Sequence, residues 1–209
     1  AVMAQADNFS ITVRGKAGHG SMPQETVDPI LVASQLVVNI QTIVSRNVNP
    51  LKPAVVSFGT IKGGTIHNII PGEVSLTGTV RTFDPSLQAL IKRRLAEMTE
   101  GTSRAFGATS DFKYEIGYPP VVNDDKMVDF VLDVGKRILG EQSIKPFDPI
   151  MGGEDFAYYL QKVPGAFLFF GMGDGMAFPH HHPGFDMDEK ALPQATKLMA
   201  GLALEYLGK

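Results

Sequence analysis

The 209-residue chain has no cysteine, which excludes disulfides and thiolate chemistry within it without reporting a compartment. Positive charge is not in excess: 19 Lys and Arg stand against 22 Asp and Glu, a formal charge of −3. With a pI near 6.0, the electrostatic footprint of a nucleic-acid or anionic-membrane binder is missing. No apolar run reaches the roughly 18 residues of a membrane-spanning helix, and the N-terminus lacks a basic region leading into an apolar signal core. A cytoplasmic protein is the default expectation. Histidine is scarce as well, at five residues, and three of the five are consecutive. Hydrophobic residues, at 44%, exclude a disordered chain and allow one large domain or two small ones.

The three histidines lie in Pro179-His180-His181-His182-Pro183-Gly184-Phe185-Asp186-Met187-Asp188-Glu189, a loop rich in carboxylates. Imidazoles on a loop after an apolar segment are good metal ligands. One loop does not make a site, because a catalytic zinc takes three protein ligands from several places and keeps a fourth position for water.

Residues 8–117 read as two strand, helix, strand units. Phe9 to Val13 alternates apolar and polar residues, as a half-buried strand does. Asp28-Pro29 offers a helix N-cap and a proline at the first helical position. Ile30, Ala33, Val37, Ile40 and Val44 then step by three and four, which predicts one core-facing helical stripe. Ala54 to Ile61 and Glu73 to Phe83 predict two more strands, the latter with Val74, Leu76, Gly78 and Val80 on one face. Between them Gly63 to Pro71 is too long for a tight hairpin and apolar for a loop, the kind of segment that carries a function. Asp84-Pro85 opens a second helix with Leu87, Leu90, Ile91, Leu95 and Met98 inward, ending near Gly107. Phe112, Tyr114 and Ile116 alternate in a fourth strand. The order βαββαβ predicts a ferredoxin-like arrangement, two helices on one face of a four-stranded antiparallel sheet.

Tyr118-Pro119-Pro120 marks a boundary. Beyond it, Asp124 to Leu139 predicts a helix with Val128, Val131, Val134 and Ile138 on one face. Met151 to Phe156 leads into a short helix with an acidic first turn. Ala166 to Gly171 is apolar without alternation and predicts a strand buried on both faces. Leu192, Ala195, Met199, Leu202 and Tyr206 predict an amphipathic C-terminal helix. Residues 118–209 therefore offer too little sheet to close a core of their own. The expectation is a domain whose other strands lie outside this chain.

Five stretches together carry a resemblance: Gly15 to Pro23 with its Gly18-His19-Gly20-Ser21, His67-Asn68-Ile69-Ile70-Pro71, Gly78-Thr79-Val80-Arg81-Thr82, Gly152-Gly153-Glu154-Asp155-Phe156, and His181-His182-Pro183-Gly184-Phe185. In this order and spacing the chain resembles the two-metal aminoacylase and carboxypeptidase superfamily, in its amidohydrolase branch acting on N-acyl amino acids, hippurate and auxin conjugates. The resemblance implies an α+β and α/β chain: residues 1–7 crossing out of a catalytic domain, a ferredoxin-like lid and dimerisation domain at 8–117, and the C-terminal part of a metallopeptidase catalytic domain at 118–209. The family's Cys-Gly-His-Asp stretch and Glu-Glu pair, which supply most metal ligands and the general base, have no counterpart here.

What the resemblance implies for function is metal-dependent hydrolysis of an amide bond by the complete enzyme, with this chain inactive alone. His181 matches the last metal ligand, with His180 and His182 as neighbours. His19 matches a lid histidine that stabilises the oxyanion in the other subunit's site. Asn68 and Arg81 match residues that hold the amino-acid end, Arg being suited to bidentate carboxylate binding. The implied cofactor is a pair of divalent ions, for which zinc, manganese, cobalt and nickel all suit the ligands. The implied partners are a small N-acyl amino acid and a second copy of the chain, with no nucleic acid and no membrane. On residues alone, plainer readings stay open: a solvated or adventitiously metal-binding histidine triplet, a turn histidine at His19, a turn residue at Asn68, an ion-paired strand residue at Arg81. Glu154 and Asp155, about 100° apart if helical, read as capping and support rather than as a catalytic pair. A non-catalytic ferredoxin-like dimerisation or small-ligand module, and an isolated triple-histidine metal domain, are the competing functions.

Overall fold

Strict alternation of buried and exposed side chains makes Gln5–Arg14 the first strand, β1, of the computed structural model, which describes residues 1–173 and 178–208. Phe9, Ile11 and Val13 point to one side and are buried. β1 is one of the two inner strands of a four-stranded sheet, pairing with β5 (Glu73–Thr82) on one side and β6 (Thr109–Tyr118) on the other, while β3 (Ala54–Gly63) pairs with β5. All three pairings are antiparallel, and the order is β3-β5-β1-β6. Helices α1 (Pro29–Asn47) and α2 (Pro85–Ala105) supply the other half of the core. Each starts as its sequence dictates, with an aspartate cap and a proline at the start: Asp28 accepts from the amides of Ile30 and Leu31, and Asp84 from that of Ser86.

The core stripe of α1 differs from the expected one. Val32, Ala33, Leu36, Ile40 and Ile43 are buried, while Ile30 is 42% exposed and Val37 and Val44 lie at the rim. The helix has apolar residues on more than one line, and contact with the sheet selects one of them. Ile116, expected inside, is 67% exposed. The β1–β6 register shifts between Ala6 and Asn8, which disrupts the alternation there. Gly78 faces Phe9 across the sheet, where a Cβ would lie 2.2 Å from the Phe9 ring. Any side chain at position 78 would collide with that buried ring.

These strands and helices belong to one compact unit, Ala1–Val121 with Pro149–Ala157. Met3 bridges both Val121 and Ile150, and Gly153 approaches Ala6 so closely that a Cβ would stand 2.6 Å from the Ala6 Cβ. The glycine pair of the Gly152-Gly153-Glu154 motif thus has a packing role at the start of β1.

The second unit comprises Val122–Asp148 and the chain from Tyr158 onward. Helices α3 (Asp125–Leu139) and α5 (Leu192–Leu207) pack through Val134, Leu198 and Leu202. The expected stripe of α5 is only partly buried: Leu202 is inside, but Met199 is 59% exposed. The short helix α4 (Ala157–Leu160) begins after the acidic pair rather than with it. Ala166–Gly171 is not a strand. No strand lies beside it among the described residues, so its backbone pairs elsewhere: the Asn123 side chain accepts from Phe167 N at 2.8 Å and donates to Phe167 O at 2.9 Å. Among the described residues the fold is mixed α and β, with one four-stranded antiparallel sheet and five α-helices, none long and apolar enough to cross a membrane.

Candidate functional site

Where β1 ends and β5 begins, the chain forms a small arm. Gly15 donates to Gly72 O, and β2 (Gly18–His19) then pairs with β4 (Ile69–Ile70), His19 opposite Ile69. Gly20 N donates to Asn68 O at 2.9 Å, so His19 and Asn68, 49 positions apart in the sequence, become neighbours. Both are exposed, beside the exposed apolar side chains of Met22, Ile66 and Ile69. The His19 ring is held at Nδ1 by two Ser21 groups, N at 3.1 Å and Oγ at 2.8 Å. The Asn68 side-chain amide has no hydrogen-bond partner among the described residues and can donate to an outside acceptor. His67 is exposed beside it.

Arg81 lies at the far end of β5. It is eight residues from Glu73, roughly 26 Å at a strand's rise, at the opposite end of β5 from the arm that carries His19 and Asn68. One guanidinium nitrogen, Nη1, donates to Asp7 O at 3.2 Å, to Val80 O at 3.1 Å and to Thr79 Oγ1. Nε and Nη2, the two parallel donors that match a carboxylate, make no bond among the described residues. Burial lowers the Arg81 pKa and the Asp7 charge opposes that shift; arginine keeps its proton regardless.

Asp7 is the functional-looking residue that sequence reading missed. It is 0% exposed, and its carboxylate accepts from Gln5 at 3.1 Å, Gln88 at 2.7 Å, the Tyr114 hydroxyl at 2.7 Å and Gly117 N at 3.0 Å. Its carbonyl accepts from Thr79 Oγ1 at 2.8 Å as well as from Arg81. Four donors from β1, α2 and β6 thus meet on one carboxylate. Burial, and then the hydrogen bond to Asp7, push the Tyr114 hydroxyl well above the usual phenol range. The signal was parity: Gln5 and Asp7 share the face of Phe9, Ile11 and Val13, where a strand should be apolar.

In the second unit, His181 has φ 68°, a left-handed backbone that no other non-glycine residue adopts among those described. Such strain costs about 1 to 3 kcal/mol and concentrates where side chains must be aimed. Its neighbours are occupied. His182 Nδ1 accepts from Gly184 N at 3.0 Å and its ring stacks on Phe178 at 4.1 Å; His180 meets the Phe185 ring at 5.2 Å. A neutral His182 that accepts at Nδ1 carries its proton on Nε2, which therefore cannot ligate. The His181 ring has no hydrogen-bond or ring partner among the described residues. Glu154 caps locally, its carbonyl accepting from Ala157 N and its carboxylate from Phe156 N. No group of three or more His, Asp or Glu side chains converges as a metal site among the described residues.

Residues 8–205 match the Peptidase family M20/M25/M40. An N-acetyl-L-cysteine deacetylase of Bacillus subtilis is 44% identical over 93% of this chain and 46% of its own length. An IAA-amino acid hydrolase ILR1-like 4 of Arabidopsis thaliana is 36% identical, over 99% of this chain and 48% of its own. Among solved structures, the Bacillus subtilis YxeP protein, described as a dinuclear metal-binding peptidase of the M20 family, superposes with a TM-score of 0.77 at 32% identity, covering 99% of this chain and 51% of that one. The chain spans about half the length of the curated relatives it matches.

Proposed function

The chain belongs to Peptidase family M20/M25/M40, and from that membership we propose that it forms the ferredoxin-like lid, residues 8–117, and the C-terminal catalytic part, residues 118–209, of a metal-dependent amidohydrolase that cleaves the amide bond of N-acyl amino acids. Relatives named as deacetylases and amino-acid conjugate hydrolases support this substrate class. The strand order β3-β5-β1-β6 within a βαββαβ chain supports the lid assignment.

The observation that carries the reading is the division of the substrate-binding groups between two ends of one sheet. His19 and Asn68 share the exposed arm; Arg81 lies roughly 26 Å away along β5. These groups meet on one substrate when two copies of the chain contribute. Arg81 of one subunit, with its free Nε and Nη2 donors, holds the amino-acid carboxylate. The arm of the other, with its exposed Met22, Ile66 and Ile69, enters the same site as a homodimer partner. There His19 donates from Nε2 to the scissile carbonyl oxygen and Asn68 adds a neutral donor. Both bonds tighten as that oxygen becomes an oxyanion.

His181 is the ligand this chain contributes to the metal centre; the remaining ligands and the general base come from outside it. Bound there, a pair of divalent ions, zinc, manganese, cobalt or nickel, supplies an activated water. In the complete enzyme, His19→Ala is expected to lower kcat by about 10² to 10³ with KM little changed, and near-normal turnover would remove His19 from the mechanism. His181→Ala is expected to lower the metal content measured by elemental analysis. The same content in both proteins would leave His181 a surface residue.

A further inference from the structure

We propose that Ser21 is a positioning residue that fixes His19 as a hydrogen-bond donor, by filling its Nδ1 with two hydrogen bonds from one residue. A backbone N–H can only donate, so the ring atom 3.1 Å from Ser21 N must be an acceptor. The Ser21 hydroxyl, 2.8 Å from the same atom, then donates as well. With Nδ1 unprotonated, the proton of the neutral ring sits on Nε2.

The surrounding turn is built to keep this pairing. Met22 N donates to His19 O at 2.9 Å, and Gly20 N to Asn68 O at 2.9 Å. The turn therefore closes on His19 while its second residue, Gly20, is pinned to Asn68 just ahead of β4. Ser21 N–H has no other acceptor in this arrangement than the ring it faces. The chemical consequence is selective: Nε2 can give a hydrogen bond to an oxygen but can neither accept a proton from water nor ligate a metal while Ser21 holds Nδ1. In this turn His19 is thus restricted to one of the three roles histidine normally plays in hydrolases. This rests on the reading of His19 as the oxyanion donor, and it goes further in assigning Ser21 the choice of tautomer.

The tautomer is readable directly. In this chain labelled with ¹⁵N-histidine, long-range ¹H–¹⁵N spectra recorded above the imidazole titration range, with the signal assigned by His19→Gln, are expected to show an acceptor-type Nδ1 and a protonated Nε2. Ser21→Ala removes the hydroxyl bond and is expected to shift the tautomer ratio about fivefold toward Nδ1–H; Ser21→Thr restores it. A proton on Nδ1 in the unsubstituted chain, or an unchanged ratio in Ser21→Ala whose backbone spectrum is intact, overturns the role of Ser21. In the complete enzyme Ser21→Ala is expected to lower kcat several-fold with KM unchanged, and Ser21→Thr to recover it. Unchanged turnover beside a shifted ratio would instead overturn the donor role of His19, so the two readings fail separately.

Discussion

Asp7 carries more of the first unit than any other polar side chain in it. A fully buried carboxylate with four donors is stabilising only as a complete set, because each donor left without its acceptor costs about 1 to 3 kcal/mol. Asp7→Ala is therefore expected to lower unfolding stability by about 3 kcal/mol or more, read from urea unfolding. Tyr114 adds a pH dependence. Its folded pKa lies above the unfolded phenol value of about 10, so its contribution is fully present below pH 10. As pH rises beyond that, the unfolded chain loses the proton while the fold retains it, and stability falls. Tyr114→Phe is expected to flatten that alkaline decline, and a slope equal to the unsubstituted chain's would show that the Asp7 contact does not hold the phenol proton. Arg81, on β5, donates to the Asp7 carbonyl, so its guanidinium is anchored to the β1 residue at the centre of the buried network.

At the scale of elements, what could be read from the sequence was what local chemistry fixes alone. Aspartate-proline starts placed α1 and α2, and alternation placed β1 and β5, because a cap and a period of two need no tertiary partner. Motif order singles out His19, Asn68, Arg81 and His181, but it does not show where the fold places them, since the β2 and β4 ribbon pairs segments 50 residues apart at its His19–Ile69 step. The stripes of α1 and α5 were only partly legible, because helices with apolar residues on several lines leave the choice to whatever packs on them. Ala166–Gly171 was misread for a related reason. Its composition suits a buried strand, yet a strand exists only through ladder bonds to a neighbour, and here the Asn123 amide takes that place at Phe167. Asn123→Ala removes both bonds, and Phe167 N–H exchange is expected to speed up by roughly tenfold or more. Exchange as slow as before would mean that Asn123 does not hold the segment.

Under the proposed function the molecule is one part of a larger catalytic assembly to which it brings His181. Among the described residues no set of metal ligands converges, and Phe147 and Phe169, stacked at 4.0 Å, are among several exposed aromatic residues of the second unit. The chain by itself is expected to show no amide hydrolysis when divalent metal is added, and robust turnover would contradict the assignment of the missing ligands to the rest of the enzyme. The central claim, that His19 and Arg81 serve one site from two subunits, makes a sharper demand. His19→Ala and Arg81→Ala complete enzymes, each nearly inactive, are unfolded together, refolded as a mixture and assayed. In a symmetric dimer half the refolded pairs are mixed, and each mixed pair holds one site with both groups intact, so activity is expected to recover to about a quarter of the unsubstituted level. If the mixture stays as inactive as its two components while mixed dimers are demonstrably present, both residues act within one chain and the account is wrong.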